Sequence, residues 1–446
     1  MSNKKPNIVF IFSDQQRYDT LGCYGQELDI SPNLDKLAKE GVLFENAFTM
    51  QPVCGPARAS LQTGKFATEI GCFKNGISLP VYEKTMAHYL KEQGYKVGYV
   101  GKWHLASDEQ ENNYEIKSIP LDRRGGYIDY WMASDVLEFT SNGYGGYVFD
   151  KDGNKIMFHG YRVDCITDFA INYIEEQSEE EPFFLFLSHI EPHHQNNMNC
   201  YQGPQGSKEK FKNFKTPLDL KEGVGDWEKE YSDYLGCCNS LDENVGRIIN
   251  KLKEKDLYDN TLIIYTSDHG CHFKTRNRDL KGLGLDDYKR TCFDSASHIP
   301  MIIKGMNFNG GKRINKMVSL IDLPKTILNI AGCEIPNSMQ GDDLQEVFNE
   351  DMNWKDEIFM QISESFVGRA IRSNKYTYCI HAEDKNPWIH SGSDVYTERY
   401  LFDLEKDPLE QNNLINDCKY KKVKEELKER IKWWMKKANE GEVKII

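Results

Sequence analysis

The chain has 446 residues, 39% of them apolar and 12% aromatic, which is long for one ordinary domain and too apolar for a disordered polymer. Its 56 Lys and Arg against 69 Asp and Glu leave a net charge of −13, which argues against general affinity for nucleic acid or anionic membranes. An anionic substrate would have to be met by a local group of cations.

In chain order, Asn7–Phe12 reads as a buried strand ending in Ser13-Asp14-Gln15. Ser31-Pro32 and Gly41 bracket a helix with Leu34, Leu37 and Ala38 on one face, and Val42–Phe48 is a second strand. A further helix, starting just after Cys54, precedes the helical stretch Glu83–Gln93 and the strand Tyr95–Val100. Then come a helix over Tyr161–Glu176, the strand Phe183–Ser188, a long helix near Asp226–Lys255, the strand Thr261–Thr266, the segment His298–Lys304 and a helix near Asp322–Ala331. Strands alternating with helices imply a mainly parallel sheet covered on both faces. Polar, Gly-rich stretches at 106–127, 140–160 and 195–227 read as loops or hairpin insertions, where substrate recognition tends to sit. Near residue 355 the pattern changes to short strands at 357–362, 368–373, 376–380 and 400–403 and a charged helix over 419–437. The expected architecture is α/β: a large, mixed but mainly parallel sheet sandwiched by helices, with a small C-terminal antiparallel sheet plus helix. The boundary falls between a domain of residues 1–355 and a subdomain of residues 356–446.

The 12 cysteines show no pairing-like spacing and no CxxC, the N-terminal apolar run is only a strand's length, and no stretch approaches the roughly 20 residues of a membrane span. A cytoplasmic location, no membrane association and no disulfides are expected; oligomeric state is not legible.

Reactive groups in open α/β sheets collect at the carboxyl ends of strands. Three ends here carry unusual polar residues: Asp14-Gln15, Asp268-His269, and His189 leading to His193-His194. A single aspartate after a strand is an ordinary turn residue, but two such ends offer oxygen and imidazole ligands for a divalent cation. Cys54, followed by Pro56 and closed by Gly64, stands at a helix N-terminus where anions are favoured. By itself it reads equally as a buried small residue or as a nucleophile.

The spacing Cys54-x-Pro56-x-Arg58 with Thr63-Gly64 resembles the maturation signature of the formylglycine-dependent sulfatases of the alkaline phosphatase superfamily. Further likenesses follow in the family's order: Gly94-Tyr95 through Gly101-Lys102-Trp103-His104, Thr266 to Gly270, Lys289-Arg290-Thr291 leading to Ile299-Pro300, and Tyr400 to Leu404 with Asp407-Pro408. Ala57 stands where serine is commoner. The resemblance implies that Cys54 is oxidised by a formylglycine-generating partner enzyme. The aldehyde hydrate then attacks sulfur and expels an alcohol, and its second hydroxyl releases sulfate. It also implies roles. Asp14, Gln15, Asp268, His269 and the side chain at position 54 hold the metal. Arg58 holds the hydrate, Lys102 and Lys289 meet sulfate, His104 acts as base, and His193 protonates the leaving alcohol, with His194 as its rival.

Calcium is the metal the family implies, but Gln15 in place of a second aspartate and His269 in place of asparagine shift the balance towards Mg²⁺ or Mn²⁺. The same two departures resemble phosphonate monoester hydrolases, so phosphonate or phosphodiester hydrolysis stands as the alternative to sulfate. With Cys54 unconverted, a non-catalytic sulfosugar-binding protein is the alternative of another class. The expected substrate is a small, imported sulfated sugar such as a glycosaminoglycan-derived mono- or disaccharide. His194, His272, Arg276 and Arg278 are its candidate contacts, and His159, Arg123, Arg124, Arg369, Trp388 and His390 are weaker ones.

Overall fold

The computed structural model describes residues 4–109, 112–277 and 288–446. Ten strands form the large sheet: β1 (Asn7–Ser13), β2 (Val42–Phe48), β3 (Lys96–Lys102), β4 (Tyr130–Ser134), β5 (Tyr144–Phe149), β6 (Lys155–Tyr161), β7 (Phe183–Ser188), β8 (Thr261–Ser267), β9 (Met301–Lys304) and β10 (Lys312–Ser319). Their spatial order is β10-β2-β9-β8-β1-β7-β3-β4-β5-β6. The central run β8-β1-β7-β3-β4 is parallel, whereas β9 is antiparallel to both of its neighbours and β5 and β6 close one edge as an antiparallel hairpin. The sheet is therefore mixed, as its sequence pattern implies.

Period-two alternation sorts the side chains of β1 onto two faces. Ile8, Phe10 and Phe12 join one buried cluster with Phe184, Phe186, Leu262 and Ile264. Val9 and Ile11 join the opposite cluster with Leu185, Leu187, Ile263 and Tyr265. On the first face pack the helices Cys54–Thr63, Met86–Glu92 and Asp322–Ile330, through Leu61, Leu90 and Ile327 among others. On the second pack Pro32–Glu40, Arg162–Glu175 and Trp227–Glu254, through Leu37, Ile166 and Ile248. With apolar side chains on both faces, the central strands read as unbroken hydrophobic runs. Phe10 and Phe186 stack 4.6 Å apart across the β1–β7 pair.

The second sheet is an antiparallel meander of β11 (Glu357–Ile362), β12 (Val367–Ser373), β13 (Tyr376–Ala382) and β14 (Val395–Asp403). A short edge strand, β15 (Lys444–Ile445), pairs parallel to β14, so this sheet is not wholly antiparallel. One face carries Phe359 and Ile371 towards the helix Lys421–Lys437, where Phe359 stacks with Trp434. The other face packs Ile358, Met360 and Phe402 against Phe48, Phe293 and Met317 of the large unit. Each such buried apolar side chain is worth about 1.5–3 kcal/mol, which fixes the second sheet against the first.

Of the two readings of residues 140–160, loop or hairpin insertion, the hairpin holds: β5 and β6 pair antiparallel on the sheet's edge. Two other segments differ from the sequence reading. Lys312–Ser319 is an unexpected strand, because its first half is exposed and charged and shows no apolar run. His298–Pro300 precedes β9 without joining it.

Candidate active site

The parallel neighbours β8, β1, β7 and β3 end at one edge of the sheet, and their carboxyl ends place Asp268, Asp14, His189 and Lys102 side by side. The helix Cys54–Thr63 points its N-terminus at the same place, with Cys54 as its first residue and Gly64 closing it at φ +71°. Cys54 is thus inside the helix rather than just ahead of it. Gly55 donates its backbone N–H to Asn75 Oδ1 at 2.9 Å, which caps that helix start.

One turn on, Arg58 reaches back into the cluster. It donates to Asp14 Oδ2 at 2.9 Å, to Ser188 Oγ at 2.7 Å and to the Lys102 carbonyl at 2.9 Å. Lys102 Nζ donates to the same Asp14 oxygen at 2.7 Å. Cys54 Sγ lies 3.4 Å from Asp14 Oδ1, 3.3 Å from His269 Nε2 and 3.0 Å from Lys289 Nζ. The sulfur marks where the oxygens of an oxidised side chain at this position would be. Lys289 Nζ also stands 3.0 Å from His193 Nε2.

Electrostatics follow from this packing. Burial and Cys54 push the Asp14 carboxyl up, but the Lys102 ammonium and the Arg58 guanidinium hold it below the usual carboxylate range. Burial would raise the Cys54 thiol, yet Lys102, Lys289 and His269 draw it well below its ordinary range. Asp268 has less compensation: burial and Asp14 push it up to about 6. Burial favours neutral His269, but Asp268 outweighs that and raises the ring. The site therefore holds a negative group at position 54 among positive neighbours, the arrangement an anion-processing centre needs.

Asp14, Cys54, Asp268 and His269 each bring one ligand atom within 4.8 Å of the others, and all four are buried. Asp268 Oδ1 accepts from the N–H groups of Gln15 and His269, while its Oδ2 is buried with no hydrogen-bond partner. A buried carboxylate oxygen that accepts no hydrogen bond and has Arg58 Nε only at 3.8 Å, within a donor set of two carboxylates, an imidazole and one further side chain, fits a divalent cation. Gln15 lies beside them and its Oε1 accepts from the His194 N–H at 3.1 Å, so its amide oxygen is shared with the backbone.

The remaining sequence candidates divide. His104 lines the cavity at φ +59°, in a loop tied down by the Asp135 carboxylate, which accepts from Leu105, Ala106 and Ser107. Before it, Gly101 has φ +105°, and a Cβ there would meet Ser188 O at 1.9 Å, so only glycine fits. His193 and His194 both line the cavity. His272 does not: it is fully buried and its Nε2 meets the Lys289 carbonyl at 3.2 Å, supporting that lysine from beneath. Arg276 turns the other way, its guanidinium donating to the carbonyls of Leu409 and Glu410 in the C-terminal part. Both are corrections to their expected role as substrate contacts. A hydrogen-bonding carbonyl cluster on the second unit captures Arg276, which nothing local in the sequence reveals. Arg278 lies outside the described residues. Arg124 donates to backbone carbonyls of Ile119 and Lys151, and Arg369 pairs with Glu440, both away from this cavity.

The cavity measures about 450 Å³, within the usual range for small-ligand sites of roughly 300–1,000 Å³. Sequence reasoning missed several of its walls: Asn75, Glu138, Phe139, Asn196, Tyr288 and Arg290. Arg290 alone had a signal, its place beside Lys289. The others sit on loops or on short helical turns, Glu138 and Phe139 in Leu137–Thr140 and Asn196 in Asn196–Met198, which the fold brings in.

Residues 6–333 match the family model described as Sulfatase, and residues 284–437 match one described as N-sulphoglucosamine sulphohydrolase, C-terminal. An ulvan-active sulfatase of Formosa agariphila is 31% identical over 95% of this chain and 80% of its own length. An N-acetylglucosamine-6-O-sulfatase of Bacteroides thetaiotaomicron is 26% identical over 95% of this chain and 85% of its length. A solved structure in complex with its substrate D-glucosamine-2-N,6-O-disulfate superposes with a TM-score of 0.79 at 24% identity, covering 98% of each chain, a likeness of fold. Among the described residues no helix is long and apolar enough to cross a membrane.

Proposed function

Since the chain belongs to the sulfatase family, we propose that it releases inorganic sulfate from a small sulfated sugar, with an oxidised Cys54 as nucleophile. The observation that carries this reading is Cys54 Sγ at a helix N-terminus, 3.0 Å from Lys289 and 3.4 Å from Asp14, inside a cavity walled by cations. Sulfated carbohydrate as substrate is supported by the names of the relatives, an ulvan-active sulfatase and an N-acetylglucosamine-6-O-sulfatase. Asn75, Glu138 and Asn196 on the walls supply partners for sugar hydroxyls.

Converted to formylglycine, position 54 supplies two hydroxyls as its hydrate, one to attack sulfur and one to expel sulfate. Asp14, Asp268, His269 and that side chain would hold a divalent cation, which lends Lewis-acid stabilisation to charge on sulfate oxygens. Arg58 fixes Asp14 and the β3 and β7 ends by three hydrogen bonds and so sets the geometry of the cluster. Lys102 and Lys289 carry positive charge to the position of the sulfate, where negative charge grows as the S–O bond to the alcohol breaks. His104, exposed to the cavity, takes the proton from the position 54 hydroxyl. His193 Nε2, beside Lys289, delivers a proton to the leaving oxygen. Burial of every one of these groups except His104 keeps competing water away from them.

Phosphonate monoester hydrolysis is the second reading, favoured by Gln15 beside Asp14 and by His269 beside Asp268. The test is a screen of defined sulfated mono- and disaccharides for sulfate release, run beside matched aryl sulfate and aryl phosphonate monoesters. A higher kcat/KM on the phosphonate replaces the sulfatase reading by the second. Turnover that survives in Cys54→Ala removes the nucleophile assignment.

A further inference from the structure

Beside the reactive cavity lies another of about 500 Å³, lined by Phe73, Lys74, Gly76, Ile77, Trp388 and Ile389 among others. The two share Gly76, so their common wall is backbone at that point. Gly76 has φ +75° and a Cβ there would meet the Glu109 side chain at 3.1 Å, so the wall is held thin by a residue with no side chain. The same loop carries Asn75, which caps the helix bearing Cys54.

The far side comes from the C-terminal unit. Ile389 and His390 donate their backbone N–H groups to the Asn386 carbonyl, and Trp388 donates its own to Asn386 Oδ1. This tight turn presents Trp388, still 37% exposed, and Ile389, 68% exposed. Lys74 Nζ and Arg290 Cζ lie 5.8 and 5.5 Å from the indole centroid, and Arg290 also lines the reactive cavity. Ser78, Asp108 and Glu109 complete the cavity with polar groups. Lys74 pairs with Glu109, which is 60% exposed, an ion pair weak enough to exchange partners.

We propose that this second cavity is a subsite for the sugar ring adjoining the sulfated one, which stacks on Trp388. The inference rests on the sulfated-carbohydrate reading above and extends it. A pyranose ring has an apolar C–H face and a rim of hydroxyls that both donate and accept. An indole platform surrounded by ammonium and guanidinium donors and carboxylate acceptors matches both features, whereas a hydrocarbon ligand would leave those charges unmatched. Because the two cavities adjoin at Gly76 and Arg290 lines one while facing Trp388 of the other, a glycan whose sulfated ring fills the first can lay its next ring in the second.

The test compares 6-sulfated N-acetylglucosamine with disaccharides that carry the same sugar linked through O1 or through O4. In Trp388→Ala, kcat/KM on at least one disaccharide should fall about tenfold, while the monosaccharide and 4-nitrophenyl sulfate stay within about twofold of wild type. Equal losses on all substrates, or no loss on either disaccharide, overturn the proposal. Failure of the underlying reading looks different: wild type would then release sulfate from none of these compounds. In that event calorimetric titration of the disaccharides into wild type and Trp388→Ala decides the subsite alone, weaker binding by the variant supporting it and equal binding or none refuting it.

Discussion

Lys289 Nζ lies 3.0 Å from His193 Nε2. An ammonium has only donors, so that ring nitrogen must present its lone pair and the ring proton sits on Nδ1. There it faces the His194 carbonyl at 2.6 Å and Glu138 Oε2 at 3.4 Å, with Asn196 Nδ2 donating to the other Glu138 oxygen at 3.1 Å. To protonate a leaving oxygen, His193 must carry a second proton on Nε2, and the Glu138 carboxylate stabilises the resulting cation. Glu138→Gln should therefore lower kcat on sugar sulfates by about 10- to 100-fold. It should hardly change 4-nitrophenyl sulfate hydrolysis, whose phenolate leaves without an acid. Equal losses on both substrates would reduce Glu138 to a structural part.

Cys54 is 1% exposed, beneath the loops that carry His193 and Lys289. In the fold Cys54, Pro56 and Arg58 belong to a wholly buried helix, so an enzyme large enough to oxidise the thiol has to meet the chain before that helix is packed. Co-expression with a formylglycine-generating enzyme should lower the intact mass by about 18 Da, through loss of sulfur and two hydrogens and gain of one oxygen. Adding the same enzyme to folded, unconverted protein should leave the mass unchanged. Full conversion of the folded protein would show that this helix opens readily.

Much of this was legible because the chemistry sits at strand ends. Asp14 follows the run Asn7–Phe12 and Asp268 follows Thr261–Thr266, so an alternating α/β pattern alone places both at one edge. What stayed hidden depends on long-range packing. Glu138 belongs to a short segment with no pattern of its own, and it reaches His193 only because β4 lies two strands from β7. Arg276 follows the metal motif by eight residues, yet carbonyls more than 130 positions away claim its guanidinium. Sequence proximity to a motif says little when the side chain is long enough to choose between two faces.

Asp268 gives the cation site a test that does not depend on turnover. Burial and Asp14 lift its carboxyl to about 6, so without metal the ionised form is a net cost to folding. Asp268→Asn keeps an oxygen for the Gln15 and His269 N–H groups while removing the charge. Metal-free variant should melt at the same temperature as metal-free wild type, or higher. Adding Mg²⁺, Mn²⁺ or Ca²⁺ should raise the Tm of wild type, since a ligand at 100 times its Kd stabilises the native state by about 2.7 kcal/mol, and should fail to do so in the variant. Chelation of wild type should abolish activity with it. A variant that gains as much from metal as wild type does would remove Asp268 from the ligand set.

His189 sets an acid limit on the fold. It is fully buried after β7, its backbone N–H donating to the Phe12 carbonyl at 2.8 Å and its Nε2 lying 3.5 Å from Thr167 Oγ1. Burial, with Arg162 adding repulsion, pushes the ring from its ordinary 6.5 down to about 3. Between those values the unfolded chain binds a proton that the native state refuses, so stability rises with pH in that window. The contribution is complete above pH 6.5 and is lost as the pH falls towards 3, at up to about 1.4 kcal/mol per pH unit. Urea unfolding of wild type and His189→Gln at pH 7, 6, 5 and 4 isolates it. The variant starts less stable at pH 7, because the glutamine amide fits the imidazole's place imperfectly, but its stability should decline less steeply by about one proton's worth. Parallel declines would mean that the ring is protonated in the native state, which its burial beside Arg162 forbids.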